Sequence, residues 1–210
     1  MRNHGSGNGH RLAIDGAECL SNQVRVLFVE NHDSFSWNVI EALPVERSAV
    51  LVRAGRDIAA DPRALDGVDV VVVGPGPTDP LRAGIVAVVR AAAAARLPLL
   101  GICLGHQALG LAFGARLTRT TPTHGKTSTA VFLPSRLFPG IEGPHEVMRY
   151  HSLALADVVP PLRVVAATAD GVPMAIEHDT LPLAGLQFHP DSYATPAGRA
   201  MVAAFFAAIT

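Results

Sequence analysis

From residue 24 onward, short continuous apolar runs alternate with stretches of helical period. This alternation marks a parallel sheet covered on both faces, because such strands are buried on both sides and their connections must cross over. Strands are predicted over residues 24–29, 49–52, 68–73 and 97–102. Helices are predicted over 34–43, ended by Pro44, over 82–96, and over 104–113 with Gly114 as a left-handed stop. The third strand runs into Gly74-Pro75-Gly76-Pro77, which can only be a turn or loop. After Thr118 the segments shorten: 128–132, 163–167 and 173–177 alternate and predict an antiparallel extension. Thr195-Pro196 reads as the N-cap and first turn of a closing helix through Ala208. The expected class is α/β: three layers around a doubly wound, mostly parallel sheet with an antiparallel extension.

Composition sets the boundaries. The chain has 210 residues, 49% hydrophobic and 17% charged, enough for one domain that buries roughly 70% of its unfolded surface. A net charge of −1 gives no electrostatic reason to expect nucleic acid or an anionic membrane as partner. Residues 1–23 are rich in Gly, Asn, Ser and His, lack a signal peptide's apolar run, and are expected to be a disordered extension before a domain at 24–210. The most apolar stretch, 83–103, contains Arg90 and Arg96, each costing about 2.5–3.5 kcal/mol near a bilayer centre, so no membrane span is expected. Two cysteines, Cys19 and Cys103, are too few for a disulfide framework, which predicts a reducing, cytoplasmic setting. No His or Cys pair has zinc-ligand spacing, and no G-x-G-x-x-G follows the first strand. Neither a metal nor a dinucleotide is expected.

The strongest local signal is Gly101-Ile102-Cys103-Leu104-Gly105 at a strand-to-helix junction. A sharply bent nucleophile turn needs small residues two before and two after the reactive group, since a β-carbon there would strike the adjacent strand and helix. A thiol at a helix N-terminus meets free N–H groups and the helix dipole, which favour its thiolate and can bind a developing oxyanion. The alternative is a buried cysteine between two incidental glycines in a chain with nineteen. Nine histidines compete to serve as its base. His106, three residues on, is poorly directed for proton transfer and reads as structural or exposed. His189, in Gln187-Phe188-His189-Pro190-Asp191, is the better candidate. Pro190 biases it away from helical backbone, so an extended His-Pro-Asp would set His189 and Asp191 on one face. A carboxylate there fixes the imidazole tautomer and stabilises the imidazolium.

Cys103-Leu104-Gly105-His106-Gln107, Gly74-Pro75-Gly76-Pro77, His124-Gly125-Lys126, Arg149-Tyr150-His151-Ser152-Leu153 and Gln187-Phe188-His189-Pro190 occur together and in order. Over residues 24–210 the chain resembles the class I (triad-type) glutamine amidotransferases. The resemblance is nearest to the glutaminase subunits (component II) of anthranilate synthase and aminodeoxychorismate synthase. Glu30-Asn31-His32-Asp33-Ser34-Phe35 resembles that subgroup's first strand-to-helix turn.

The resemblance implies a flavodoxin-like core and an enzyme that hydrolyses L-glutamine without a cofactor. Cys103 would attack the side-chain amide, His189 would act as base and then acid, and Asp191 would complete the triad. Leu104 and Gly76 would bind the oxyanion through backbone N–H groups, Pro75 having none to offer. Gly74, Pro75, Gly76, Gln107, Ser152 and Leu153 match glutamine-binding positions. His124 and Lys126, the only lysine, match a loop near the synthase contact. The domain at 24–210 leaves no room for a synthase, so a separate chorismate- or isochorismate-using chain is the expected recipient of the ammonia.

Relatives generally carry glutamate two residues after the catalytic histidine, where this chain has Asp191. One methylene shorter, it is expected to fall short of the imidazole by about a C–C bond unless the backbone moves or water bridges. A misplacement of that size can cost on the order of a hundredfold in rate. A working but slower glutaminase is therefore expected. A partner-binding subunit weakened in turnover and a stand-alone γ-glutamyl or cysteine hydrolase are the competing readings.

Overall fold

The computed structural model describes residues 24–61 and 63–210; the extension expected at 1–23, with Cys19, lies outside the described residues. The chain runs β1 (Val26–Glu30), α1 (Ser36–Glu41), β2 (Val50–Ala54), α2 (Gly55–Ala60), β3 (Val70–Val73), α3 (Ile85–Ala94), β4 (Leu99–Ile102) and α4 (Leu104–Ala112). There follow β5 (Arg116–Phe132), β6 (Gly143–Ala156), β7 (Leu162–Thr168), β8 (Pro173–His178), β9 (Leu183–Leu186) and α5 (Gly198–Ile209). One nine-stranded sheet has the order β2-β1-β3-β4-β9-β8-β7-β5-β6. Pairing is parallel from β2 through β9 and antiparallel from β9 through β6.

The parallel part has the doubly wound, flavodoxin-like order, and its winding reverses between β1 and β3. Loops leaving those two strands diverge and open a crevice at their carboxyl ends. Side chains of the strands alternate between two cores. Phe28, Val72, Leu100 and Ile102 pack with Val39 and Ile40 of α1 and with Met201, Phe205 and Phe206 of α5. Leu27, Val29, Val71 and Val73 pack with Ile58 of α2, with Ile85, Val88 and Val89 of α3 and with Leu109 of α4. Because both faces are covered, β3 is Val at every position and fully buried. Each such side chain contributes roughly 1.5–3 kcal/mol by leaving water.

The antiparallel extension is more regular than the sequence predicts. Residues 116–132 form one 17-residue strand and 143–156 its 14-residue partner, with register shifts between Arg119 and Thr123 and between His124 and Lys126. Pro122 and Gly125 stand in those shifts and are what make the segment read as loop. The strands β6 and β9 and the short helix α2 are absent from the sequence expectation. Thr195 does not cap α5, which begins at Gly198. Its hydroxyl instead donates to His189 O at 2.8 Å and accepts from Met148 N at 2.9 Å. Among the described residues, no helix is long and apolar enough to cross a membrane.

The turn between β4 and α4 depends on two backbone approaches. A β-carbon on Gly105 would stand 2.2 Å from Val73 O, and one on Gly101 would stand 2.4 Å from Gly105 C. Gly114, by contrast, has φ +96°, and among the described residues nothing lies within 4 Å of a β-carbon placed there. Gly114→Ala is therefore expected to cost only the left-handed penalty, about 1–2 kcal/mol. Gly105→Ala must displace backbone, and its urea-unfolding midpoint is expected to fall further than that of Gly114→Ala. Equal midpoints would contradict the close-approach account.

Candidate active site

Cys103 has φ +52° and ψ −96°, a conformation a non-glycine residue holds only when its surroundings over-determine it. The surroundings here are the two glycine approaches, the Cys103 N–H bond to Leu186 O at 2.8 Å, and the Gln107 N–H bond to Cys103 O at 3.1 Å. Leu104 opens α4, so its N–H has no acceptor within the helix. Gly76 packs against the Leu104 side chain: a β-carbon on Gly76 would stand 2.7 Å from Leu104 Cδ2. Gly76 supplies the only backbone N–H in Pro75-Gly76-Pro77. Asn31, almost fully buried, donates to Gly74 O at 3.0 Å and ties that loop to the end of β1.

Register delivers the histidine. Ile102 pairs with Leu186 in the parallel β4–β9 ladder, so the residues that follow each strand emerge side by side. His189 N–H then bonds Met148 O at 3.0 Å, and Thr195 holds the His189 carbonyl. The start of α5 closes against the turn, since a β-carbon on Gly198 would lie 2.0 Å from Pro190 O. Phe35 and Tyr150 flank the imidazole edge-on, with ring centroids 5.3 and 5.1 Å away.

Asp191 does not fall short of the imidazole as its length predicts. Residues 189–192 form a turn, with Ser192 N–H reaching back to His189 O, instead of the extended His-Pro-Asp. This curls Asp191 Oδ1 to 3.3 Å from His189 Nδ1, both side chains being buried. The pair has ion-pair distance without hydrogen-bond alignment, and among the described residues neither atom has a hydrogen-bond partner. Burial opposes charge on His189, but Asp191 and the Cys103 sulfur outweigh it and push its pKa up to about 10.

These residues border a cavity of about 400 Å³ lined by Cys103, Leu104, Gly76, Gln107, Ser152, Leu153, His124 and His189. Gly74 and Pro75 are buried and do not line it, and Lys126, exposed on β5, does not line it either. Asp33, Phe35, Pro77, Thr78, Tyr150 and His151 also line it, beyond the site residues that the sequence predicts. Most of them stand within or beside the sequence motifs, but a side chain's direction depends on the sheet register.

A buried polar network runs inward from the cavity wall. Gln107 Nε2 donates to Leu153 O at 3.1 Å and to Gln187 Oε1 at 3.2 Å, and Gln187 Nε2 donates to Cys103 Sγ at 3.7 Å. Arg149 Nε donates to His151 Nε2 at 3.1 Å, so the ring's proton sits on Nδ1, 2.9 Å from Leu153 O. Burial and the Arg149 charge push His151 down to about 4. His106 is fully buried, and burial above all pushes it down to about 3, so it stays a neutral packing residue.

Because Asp191 supplies the largest of the interactions that raise His189, Asp191→Asn is expected to lower the pH at which His189 titrates. An NMR titration of the imidazole reads this directly, and an unchanged midpoint would contradict the assigned cause.

Residues 27–209 match the family model of class-I glutamine amidotransferases. The chain is 45% identical over 186 residues to an aminodeoxychorismate synthase of Streptomyces griseus, covering 87% of this chain and 26% of that protein. It is 42% identical over 186 residues to anthranilate synthase component 2 of Mycobacterium tuberculosis, covering 86% of this chain and 80% of that one. A solved glutamine amidotransferase of Thermotoga maritima shares the fold with TM-score 0.65 at 17% identity, covering 81% of this chain and 77% of that one. This chain belongs to the class-I glutamine amidotransferases.

Proposed function

We propose that this chain hydrolyses L-glutamine at Cys103 and passes the ammonia to a separate chorismate- or isochorismate-using synthase chain. The observation that carries the first half is the meeting of a strained, helix-capping Cys103 with the His189–Asp191 pair at one cavity. The names of the relatives, anthranilate synthase component 2 and aminodeoxychorismate synthase, support the second half.

In this reading the proton of the Cys–His pair rests on His189, and the Cys103 sulfur attacks the side-chain amide carbon of glutamine. The carbonyl oxygen becomes an oxyanion held by the N–H groups of Leu104 and Gly76. Collapse of that intermediate breaks the C–N bond as His189 gives its proton to the nitrogen, releasing ammonia and leaving a glutamyl thioester. Water then attacks the thioester while His189 takes its proton, and glutamate leaves with the sulfur regenerated. Asp191 keeps the imidazole oriented and stabilises its charged form. Gln107, Ser152 and Leu153 bind the amino-acid end of the substrate, Gly74 and Pro75 hold Gly76 in position, and His124 with Lys126 faces the partner.

Cys103→Ala is expected to abolish glutamine hydrolysis, measured as ammonia released. Asp191→Ala is expected to lower kcat about a hundredfold, the scale of a misplaced imidazole, and Asp191→Glu to retain activity. An Asp191→Ala variant indistinguishable from wild type would remove Asp191 from the mechanism. Hydrolysis is further expected to rise when a synthase chain and chorismate are added; activity that no synthase alters would mean a stand-alone hydrolase.

A further inference from the structure

We propose that Gln187 is a positioning residue for the nucleophile: its side-chain amide holds the Cys103 sulfur in place and favours its ionised form by donating an N–H to it. This rests on the reading of Cys103 as the nucleophile. Gln187 and Cys103 are 84 residues apart, and they meet because each directly follows a strand of the paired β4–β9 ladder. Gln187 is fully buried and absent from the cavity lining, so it reaches the sulfur from behind the substrate site.

A primary amide can face either way, and only one face offers a donor. Here the choice is forced. Leu153 O is a backbone acceptor that cannot donate, and Gln107 turns its Nε2 toward it at 3.1 Å. The same Nε2 donates to Gln187 Oε1, which commits the other end of that amide, its Nε2, to Cys103 Sγ. His151 Nδ1–H shares the Leu153 carbonyl and is itself held by Arg149, so the orientation is anchored on β6. A neutral donor buried beside sulfur stabilises a thiolate more than a thiol, and does so strongly where water is excluded. A glutamine that only satisfied its own buried polar atoms would matter for stability and leave the sulfur's reactivity alone.

The test is the pH dependence of Cys103 alkylation by iodoacetamide, read by mass spectrometry of the Cys103 peptide in the full chain. Gln187→Met, which keeps the length and loses the donor, is expected to move the alkylation profile to higher pH. Its rate at pH 7 is expected to fall roughly ten- to a hundredfold, the scale of one hydrogen bond to an ionised group. Glutamine hydrolysis is expected to lose kcat in parallel with KM unchanged. Gln187→Glu, which presents acceptor oxygens to the sulfur, is expected to shift the profile the same way and further. An unshifted profile in either folded variant overturns the proposal. In wild type, which carries no folding risk, the Gln187 side-chain amide resonance is expected to move over the pH range in which Cys103 alkylates; a stationary resonance also overturns it. A wild-type chain with the expected alkylation behaviour but no glutamine hydrolysis would defeat the function proposed above and leave the role of Gln187 standing.

Discussion

The pairing of β4 with β9, Ile102 opposite Leu186, is the constraint on which the cavity depends. Parallel neighbours end on the same side of a sheet, so whatever follows them is delivered to one place. One continuation is Cys103, turned sharply into α4. The other is Gln187-Phe188-His189. A slip of this ladder by one residue would exchange the faces of β9. It would also break the Cys103 N–H bond to Leu186 O and move the imidazole away from the sulfur. The β1–β3 winding reversal adds the third wall, the Gly76 loop, held by Asn31.

Holding Cys103 at positive φ costs of order 1–3 kcal/mol, which the surrounding core must offset. The stiffness comes from buried strands on both faces and from backbone approaches that no β-carbon would permit. Charge is managed by the same burial. His106 and His151 are kept neutral, whereas His189, equally removed from water, is kept cationic because Asp191 and the sulfur lie beside it. Three buried histidines near one cavity thus differ in charge for reasons visible in their neighbours.

Much of this was legible in the sequence. Apolar runs buried on two faces announce themselves by composition alone, and the glycines around Cys103 mark the bend whatever surrounds it. The long hairpin β5–β6 was not legible, because Pro122 and Gly125 suit a loop as well as a register shift and only the partner strand decides. Thr195 next to Pro196 has the local chemistry of a cap, yet tertiary contacts recruit its hydroxyl to His189 instead. Side-chain length on an extended backbone puts Asp191 out of reach, and the turn at 189–192 supplies the missing reach. Gln187 stands within a motif, but its role depends on a strand pairing that no local pattern encodes.

In the proposed mechanism Cys103, activated beside His189, attacks the side-chain carbonyl of glutamine. Incubation with an electrophilic glutamine analogue, followed by mass spectrometry of the intact chain and its peptides, tests it most directly. The expected result is one adduct per chain on Cys103, slowed by free glutamine and lost in His189→Ala. An adduct on Cys19 alone, or labelling of Cys103 that glutamine does not slow, would contradict it.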